Sequence, residues 1–516
     1  GTTIGASGTA TTGTAQVMYN TANNGGGAFI NAGTLKIKDA NVSVSNNTAT
    51  VSGGGVYVNG GTVTVTSATL SNNTATSQGG GIYSSSGTVT LTSATLSNNT
   101  ATNSFGGGVY AGSSVYVYSS TFTGNKAENA INGKGGGIYA TGASTVVNIT
   151  RTGTSANSVF KSNKATYGGA VYAAQGSVTL GYATIGGTGS GEANTASQDG
   201  GGIYAAGAVT LNTGATVQCN TASQDGGGVY VNNGTFTMNA GTIGGSSSTF
   251  ANTATRNGGG LYVTGSSASV TVAGTISNNV ATNGNGGGLY AESPVTVTGG
   301  TISSNHADSG NGGGIYALAG TNTITLQTSA AVGSNTATNG AGIYAKTGNV
   351  QVTSSTLSGN TASADGGGVY AEGGTVTMTT ATLSGNAATN GNGGGVYATS
   401  GTIAFNSSSK DNPTFTGNIA DNGAVLYMEG GTCNIYAGTL GGSHDNRNKA
   451  TTSGGAIYVD AGTVNFATGE ISYNTAGTSG GGLYVASNGT LNMTGDVTLN
   501  YNHVPAGRHG GGVYLA

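Results

Sequence analysis

Asp199 and Asp225 stand 26 residues apart, each inside the string SQDGGG, and Asp365 precedes another run of three glycines. Carboxylates recurring at one position of a repeat are the first place to look for chemistry, because acids converging on one groove can hold Ca²⁺ or act as acid and base on a glycosidic bond. Each of these turns supplies a single carboxylate, whereas a calcium site takes about six or more oxygens. The three aspartates are therefore expected to be solvated turn residues, since Asp or Asn before Gly is ordinary turn chemistry. Glu292, Glu372, Glu429 and Asp460 share another position, two past a Tyr, and Lys346 lies one repeat before Glu372. A Lys346 to Glu372 surface pair, worth under about 1 kcal/mol, is the expectation there. The histidines, His306, His444, His503 and His509, show no zinc-ligand spacing. The GGG turns lack the Lys-Ser/Thr of a phosphate loop. The chain is read as a non-enzyme with no catalytic residue, metal or cofactor.

The elements that hold these residues follow from composition and period. The 516 residues include 101 Gly, 3 Pro and no Trp, with 13 Lys+Arg against 16 Asp+Glu. Basic residues this few argue against a nucleic-acid partner, which needs clustered positive charge. No run of about eighteen apolar residues is present, so no membrane span is expected. Cys219 and Cys433 lie seven or eight repeats apart, roughly 35 Å at the strand spacing of a stacked sheet, and cannot pair.

Residues 53 to 77, GGGVYVNGGTVTVTSATLSNNTATS, recur almost unchanged from Gly79, and the unit continues to the end of the chain. Its aromatic mark falls at Phe29, Tyr57, Tyr83, Tyr110, Tyr139, Tyr172, Tyr204, Tyr230, Tyr262, Tyr290 and Tyr316, then at Tyr344, Tyr370, Tyr397, Tyr427, Tyr458, Tyr484 and Tyr514. These marks span 485 residues in seventeen steps, a mean period of 28.5. Inside a unit the apolar residues alternate, Val56 with Val58, Val63 with Val65, Ala68 with Leu70, which gives three short strands each burying one face. Each strand resembles its copy one unit away rather than its neighbour, so it pairs in parallel with that copy. The predicted fold is all-β, a right-handed parallel β-helix with three strands per coil and about 18 coils. It is read as a single continuous solenoid over residues 1–516, roughly 85 Å long at the usual strand spacing.

Three columns run along such a stack. The first is Asn47, Asn73, Asn99, Asn125, Asn163, Asn194, Asn220, Asn252, Asn279, Asn305, Asn335, Asn360, Asn386, Asn418, Asn448 and Asn474, with Asn20 and Asn502 at its ends. The residue two places on is Ala in every unit but the last, so this Asn belongs at a tight inward corner where amides donate to one coil and accept from the other. The second column is the tyrosines. If Val56 and Val58 point inward, Tyr57 points outward, and the expectation is an exposed stripe, Tyr57 to Tyr316 and beyond, that is a β-favourable surface ladder or else meets sugar rings or a neighbouring copy. The third is Thr64, Thr90, Thr179, Thr210, Thr237, Thr271, Thr296, Thr325 and Thr377, interrupted by Lys36, Tyr116, Gln351, Asn434, Asn465 and Asn492.

The GG[A/G]-aliphatic motif, as at Gly169-Ala170-Val171 and Gly455-Ala456-Ile457, alternates with FxxN, as at Phe122 to Asn125, Phe160 to Asn163 and Phe415 to Asn418. Together they resemble the repeats of the chlamydial polymorphic membrane proteins and related bacterial β-helical surface adhesins. The resemblance implies a β-helix at a cell surface or outside the cell. The function it implies is a structural or adhesive rod whose partners are copies of itself, adjoining β-helical segments or host and surface glycans. A carbohydrate-binding or carbohydrate-active β-helix and an ice-binding solenoid presenting the Thr column are the alternatives. Gly1-Thr-Thr-Ile-Gly matches a third strand and GGGVYLA at residues 510 to 516 a first strand, both uncapped. An internal stretch of a longer protein, or a subunit of a filament, is expected from those ends.

Overall fold

The computed structural model describes residues 2–5, 14–318, 323–406 and 413–516. They form two compact units, Gly1–Ala268 and Ser269–Ala516, each an all-β stack of parallel coils. No α-helix occurs among the described residues, only two single 3₁₀ turns at Ser190–Glu192 and Ser248–Phe250. Each unit carries nine of the aromatic marks and nine of the column asparagines.

The coil that starts at Gly53 shows why the sequence folds this way. Gly53 takes a φ of +68°, a left-handed conformation that glycine adopts without a Cβ penalty. Val56–Val58 then runs as a strand with both valines fully buried. Thr62–Thr66 follows, with Val63 and Val65 buried and the threonines on the other face. Ser67 (φ +58°) and Asn72 (φ +54°) make the next two corners, flanking the strand Thr69–Ser71 whose Leu70 is fully buried. Ser and Asn at left-handed positions suit corners too tight for branched side chains. A two-residue strand, Thr74–Ala75, closes the coil.

Parallel register stacks like on like. Val56 faces Ile82, Val63 faces Val89, Leu70 faces Leu96 and Ala75 faces Ala101. The core is thus a set of aliphatic columns, with Phe122 and Phe160 stacked inside it at 4.2 Å between ring centroids. Three sheets result, divided differently from the pattern of the sequence. The VYV and TVTVT strands belong to one sheet, the TLS strands to a second, and the TA pairs to a third. The two-residue strands are too short to show alternation, so periodicity could not reveal them. Cys219 and Cys433 are both buried free thiols.

Candidate functional site

The buried asparagine column is the most uniform polar feature. In the first unit Asn73 donates from Nδ2 to Asn99 Oδ1 at 2.9 Å and to the Val44 carbonyl at 2.9 Å. Its own Oδ1 accepts the Asn47 backbone N–H and the Asn47 amide, both at 3.1 Å. Two donors and two acceptor sites are therefore all used, which is the full capacity of the side chain. The pattern repeats through Asn125, Asn163 and Asn194 to Asn220, whose amide reaches Asn252 Oδ1 at 2.8 Å. In the second unit it runs from Asn279 through Asn305, Asn335, Asn360, Asn386, Asn418 and Asn448 to Asn474, whose amide donates to Asn502. Sixteen of these asparagines, Asn47 to Asn474, are at most 1% exposed. Within each unit, a buried amide of each of these coils thus ties it to the next.

The tyrosines stack with ring centroids 4.6 to 5.5 Å apart and nearly parallel planes, from Phe29 to Tyr262 in one unit and from Tyr290 to Tyr514 in the other. The rings lie on the face opposite the buried aliphatics, as alternation requires. Their expected exposure needs correction. Tyr139, Tyr172, Tyr262, Tyr290 and Tyr316 are only 5 to 8% exposed, and Tyr57, Tyr83, Tyr110, Tyr204 and Tyr230 are half-buried. Within each unit the inner rings are covered on both faces by their neighbours, and the residue ahead of the GGG turn covers more. Phe105 stacks on Tyr139 at 4.7 Å, and Lys134 Nζ sits 5.2 Å from the Tyr172 ring centre. Burial, helped by the Tyr139 and Tyr83 hydroxyls, pushes the Tyr110 hydroxyl up to about 12. The stripe is a π-stacked seam rather than an open row of rings.

The carboxylates also depart from expectation. Asp225 is 4% exposed, and its carboxylate pairs with the Arg256 guanidinium and accepts the Asn257 backbone N–H at 2.9 Å. Asp199 accepts the Asp225 backbone N–H at 3.1 Å. Neither is a solvated turn residue, because the position before GGG faces the same position of the adjacent coil and forms a second ladder. In the second unit that ladder runs through Asn285, Asn311, Asn339 and Asp365, each side-chain oxygen accepting the backbone N–H one coil on at 2.7 to 3.2 Å, and Asn392 Oδ1 accepts the Asn422 side-chain amide at 2.9 Å. Its polarity is opposite to that of the buried ladder, where the N–H donates to the later coil. The recurrence of Asn, Asp or Gln before GGG was the available signal, and counting columns from that residue would have found it. The Lys346 to Glu372 pair is likewise not what forms: Glu372 accepts the Tyr344 hydroxyl and Glu429 the Tyr397 hydroxyl.

Asp199 yields a pH prediction. Burial raises its carboxyl to about 6; the Asp225 N–H opposes the rise, Asp225 charge adds to it and Arg256 lowers it. The unfolded chain releases this proton near pH 4. Between there and about 6 the folded state holds a proton that the unfolded state has lost, so stability falls as pH rises through this window. Asp199→Asn keeps the acceptor for the Asp225 N–H and removes the ionisation. It should stabilise the protein by about 1 to 3 kcal/mol at pH 7, with the difference closing toward pH 4, as measured by denaturant unfolding at both values.

No group of three or more His, Cys, Asp or Glu capable of holding a metal occurs among the described residues. His306 Nδ1 instead bonds Thr336 Oγ1 at 2.7 Å, and His444 lies beside Asp445. The Thr column is in register, Thr64 with Thr90, Thr179 with Thr210 and Thr296 with Thr325. Asn148 and Ala404 interrupt it besides the residues already named, so neither unit presents more than three consecutive threonines.

Comparison with known families places two matches on this chain. Residues 239–407 match the right-handed beta helix region. Residues 41–59, 67–85 and 119–141 match the Chlamydia polymorphic membrane protein repeat. No curated protein and no solved structure gives a significant match.

Proposed function

We propose, starting from right-handed β-helical coils that carry polymorphic-membrane-protein repeats, that the chain is a surface-displayed structural and adhesive element. Its task is to present long, stiff, polar faces for contact with neighbouring copies or with host and surface glycans. The observation that carries this reading is where the polar groups go. Asn99 and its counterparts, Asp225, Asp365, Glu372 and Glu429 are bonded within the coil stack, the groups from which an enzyme of this fold would build its acid and base. Cross-bonding repeated in every coil stiffens a solenoid whose coils otherwise touch only their neighbours.

The test is deletion of the encoding gene in its source organism. Loss of attachment to a surface, or a thinned outer layer in sectioned cells, is the expected result. An unchanged surface together with accumulation of an uncleaved saccharide would overturn the reading in favour of an enzyme.

A further inference from the structure

The first unit contains one place where the repeat is broken in a way the fold does not need. At the outward position after the buried asparagine, the coils use Thr48, Thr74 and Thr100, then Lys126 and Lys164, then Thr195, Thr221 and Thr253. The two lysines are paired in register on adjacent coils, so their ammonium groups are stacked like charges, an arrangement that destabilises a sheet. Glu128 approaches Lys126 at 3.9 Å, and among the described residues no carboxylate pairs with Lys164. The surrounding charge is also unusual. Residues 126 to 164 hold Lys126, Lys134, Arg151, Lys161 and Lys164 against Glu128 alone, in a chain whose net charge is −3.

The same two coils carry a loop whose first residues line a cleft with the lysines. Between the buried Ala and the GGG turn, this coil has the seven residues 128 to 134, where the preceding coil has four and the following one two. The loop is pinned: Asn129 Oδ1 accepts the backbone N–H groups of Ile131 and Asn132 at 3.0 and 2.9 Å, and Asn129 Nδ2 donates to the Asn103 carbonyl at 2.7 Å. Thr166 Oγ1 donates to the Asn129 carbonyl at 2.6 Å, and the Thr166 N–H donates to the Gly133 carbonyl at 2.8 Å. A projecting loop over a shortened turn leaves a cleft of about 510 Å³, lined by Lys126, Lys164, Glu128, Asn129, Thr166 and Ser197. That volume is in the range of small-ligand sites.

We propose that this cleft binds an anionic saccharide, with the Lys126 and Lys164 ammonium groups holding its carboxylate or sulfate and the amide and hydroxyl groups of the wall taking its ring hydroxyls. Lys164 has no carboxylate partner among the described residues, and Lys126 has only Glu128 at 3.9 Å, so the cleft keeps a net positive charge that calls for an anion. A wall of amide, hydroxyl and carboxylate groups, with alanine methyls as its apolar part, suits a polyhydroxylated ring better than a hydrophobic ligand. The site rests on the geometry of the first unit and not on surface display, so its failure would leave the proposed function standing, and the reverse.

The test uses the full chain and a sulfated uronic-acid disaccharide in titration calorimetry. Saturable binding that weakens with added salt is expected, because screening acts on exposed cations. The variant K126T/K164T restores the residue used by the flanking coils, so its melting temperature should not fall. It should lose about tenfold or more in affinity, the equivalent of one charge-assisted hydrogen bond or more. Absence of binding by the unaltered chain, unchanged affinity in K126T/K164T, or equal affinity for inorganic sulfate or a poly-aspartate peptide would each overturn the assignment.

Discussion

Asn99→Ala should cost about 2 to 6 kcal/mol, a large loss for a single side chain outside the aliphatic core. The substitution removes the bonds from Asn99 Nδ2 to the Leu70 carbonyl and to Asn125 Oδ1, both at 2.9 Å. It also removes the acceptor for the Asn73 backbone N–H and the Asn73 amide. Asn99 is fully buried, so water cannot replace these partners without opening the coil. Each orphaned buried group costs about 1 to 3 kcal/mol, and at least two are created here. Because coils contact only their neighbours, the damage should stay local. Hydrogen exchange should rise at residues 70 to 127 and remain unchanged several coils away. Uniform deprotection of the whole chain would show that the ladder is not a nearest-neighbour device.

Gly80→Ala should be comparably damaging for a steric reason. An added Cβ would lie 2.5 Å from the Gly107 carbonyl oxygen, 2.5 Å from the Thr100 nitrogen and 2.6 Å from the Thr100 carbonyl carbon. All three are backbone atoms, Gly107 in the next coil and Thr100 in the strand that closes the same coil, so no side-chain rotation relieves the overlap. Overpacking usually costs about 1 to 3 kcal/mol, and with only backbone to yield the loss should reach about 3 kcal/mol or more. Gly60→Ala is the matched control, since its Cβ would come no nearer than 3.8 Å to any such atom. That variant should stay within about 0.5 kcal/mol of the parent in denaturant unfolding. Equal effects at the two positions would mean that the GGG turn tolerates coil separation.

Much of this architecture is legible because it is written once per coil. The Val56, Tyr57, Val58 alternation predicts which face is buried, and the fixed offset between Asn73 and Ala75 predicts an inward corner. What the sequence hid is what depends on the neighbouring coil. Asp225 reads as a turn residue until the Arg256 side chain and the Asn257 N–H of the next coil enclose it. Tyr139 and Tyr172 read as exposed until rings above and below cover them. The Lys126 and Lys164 cleft depends on a loop whose conformation is set by Asn129 bonding, which no period encodes. Periodicity identifies faces, whereas burial at a face is decided by what the stacked copies place there.

Surface display is the claim on which the functional account rests, and labelling of intact cells measures it most directly. Antibodies raised against the purified chain should bind unpermeabilised cells of its source, and brief external protease treatment should abolish that signal while cytoplasmic proteins stay whole. Label that is absent from intact cells and present only after permeabilisation would contradict the account.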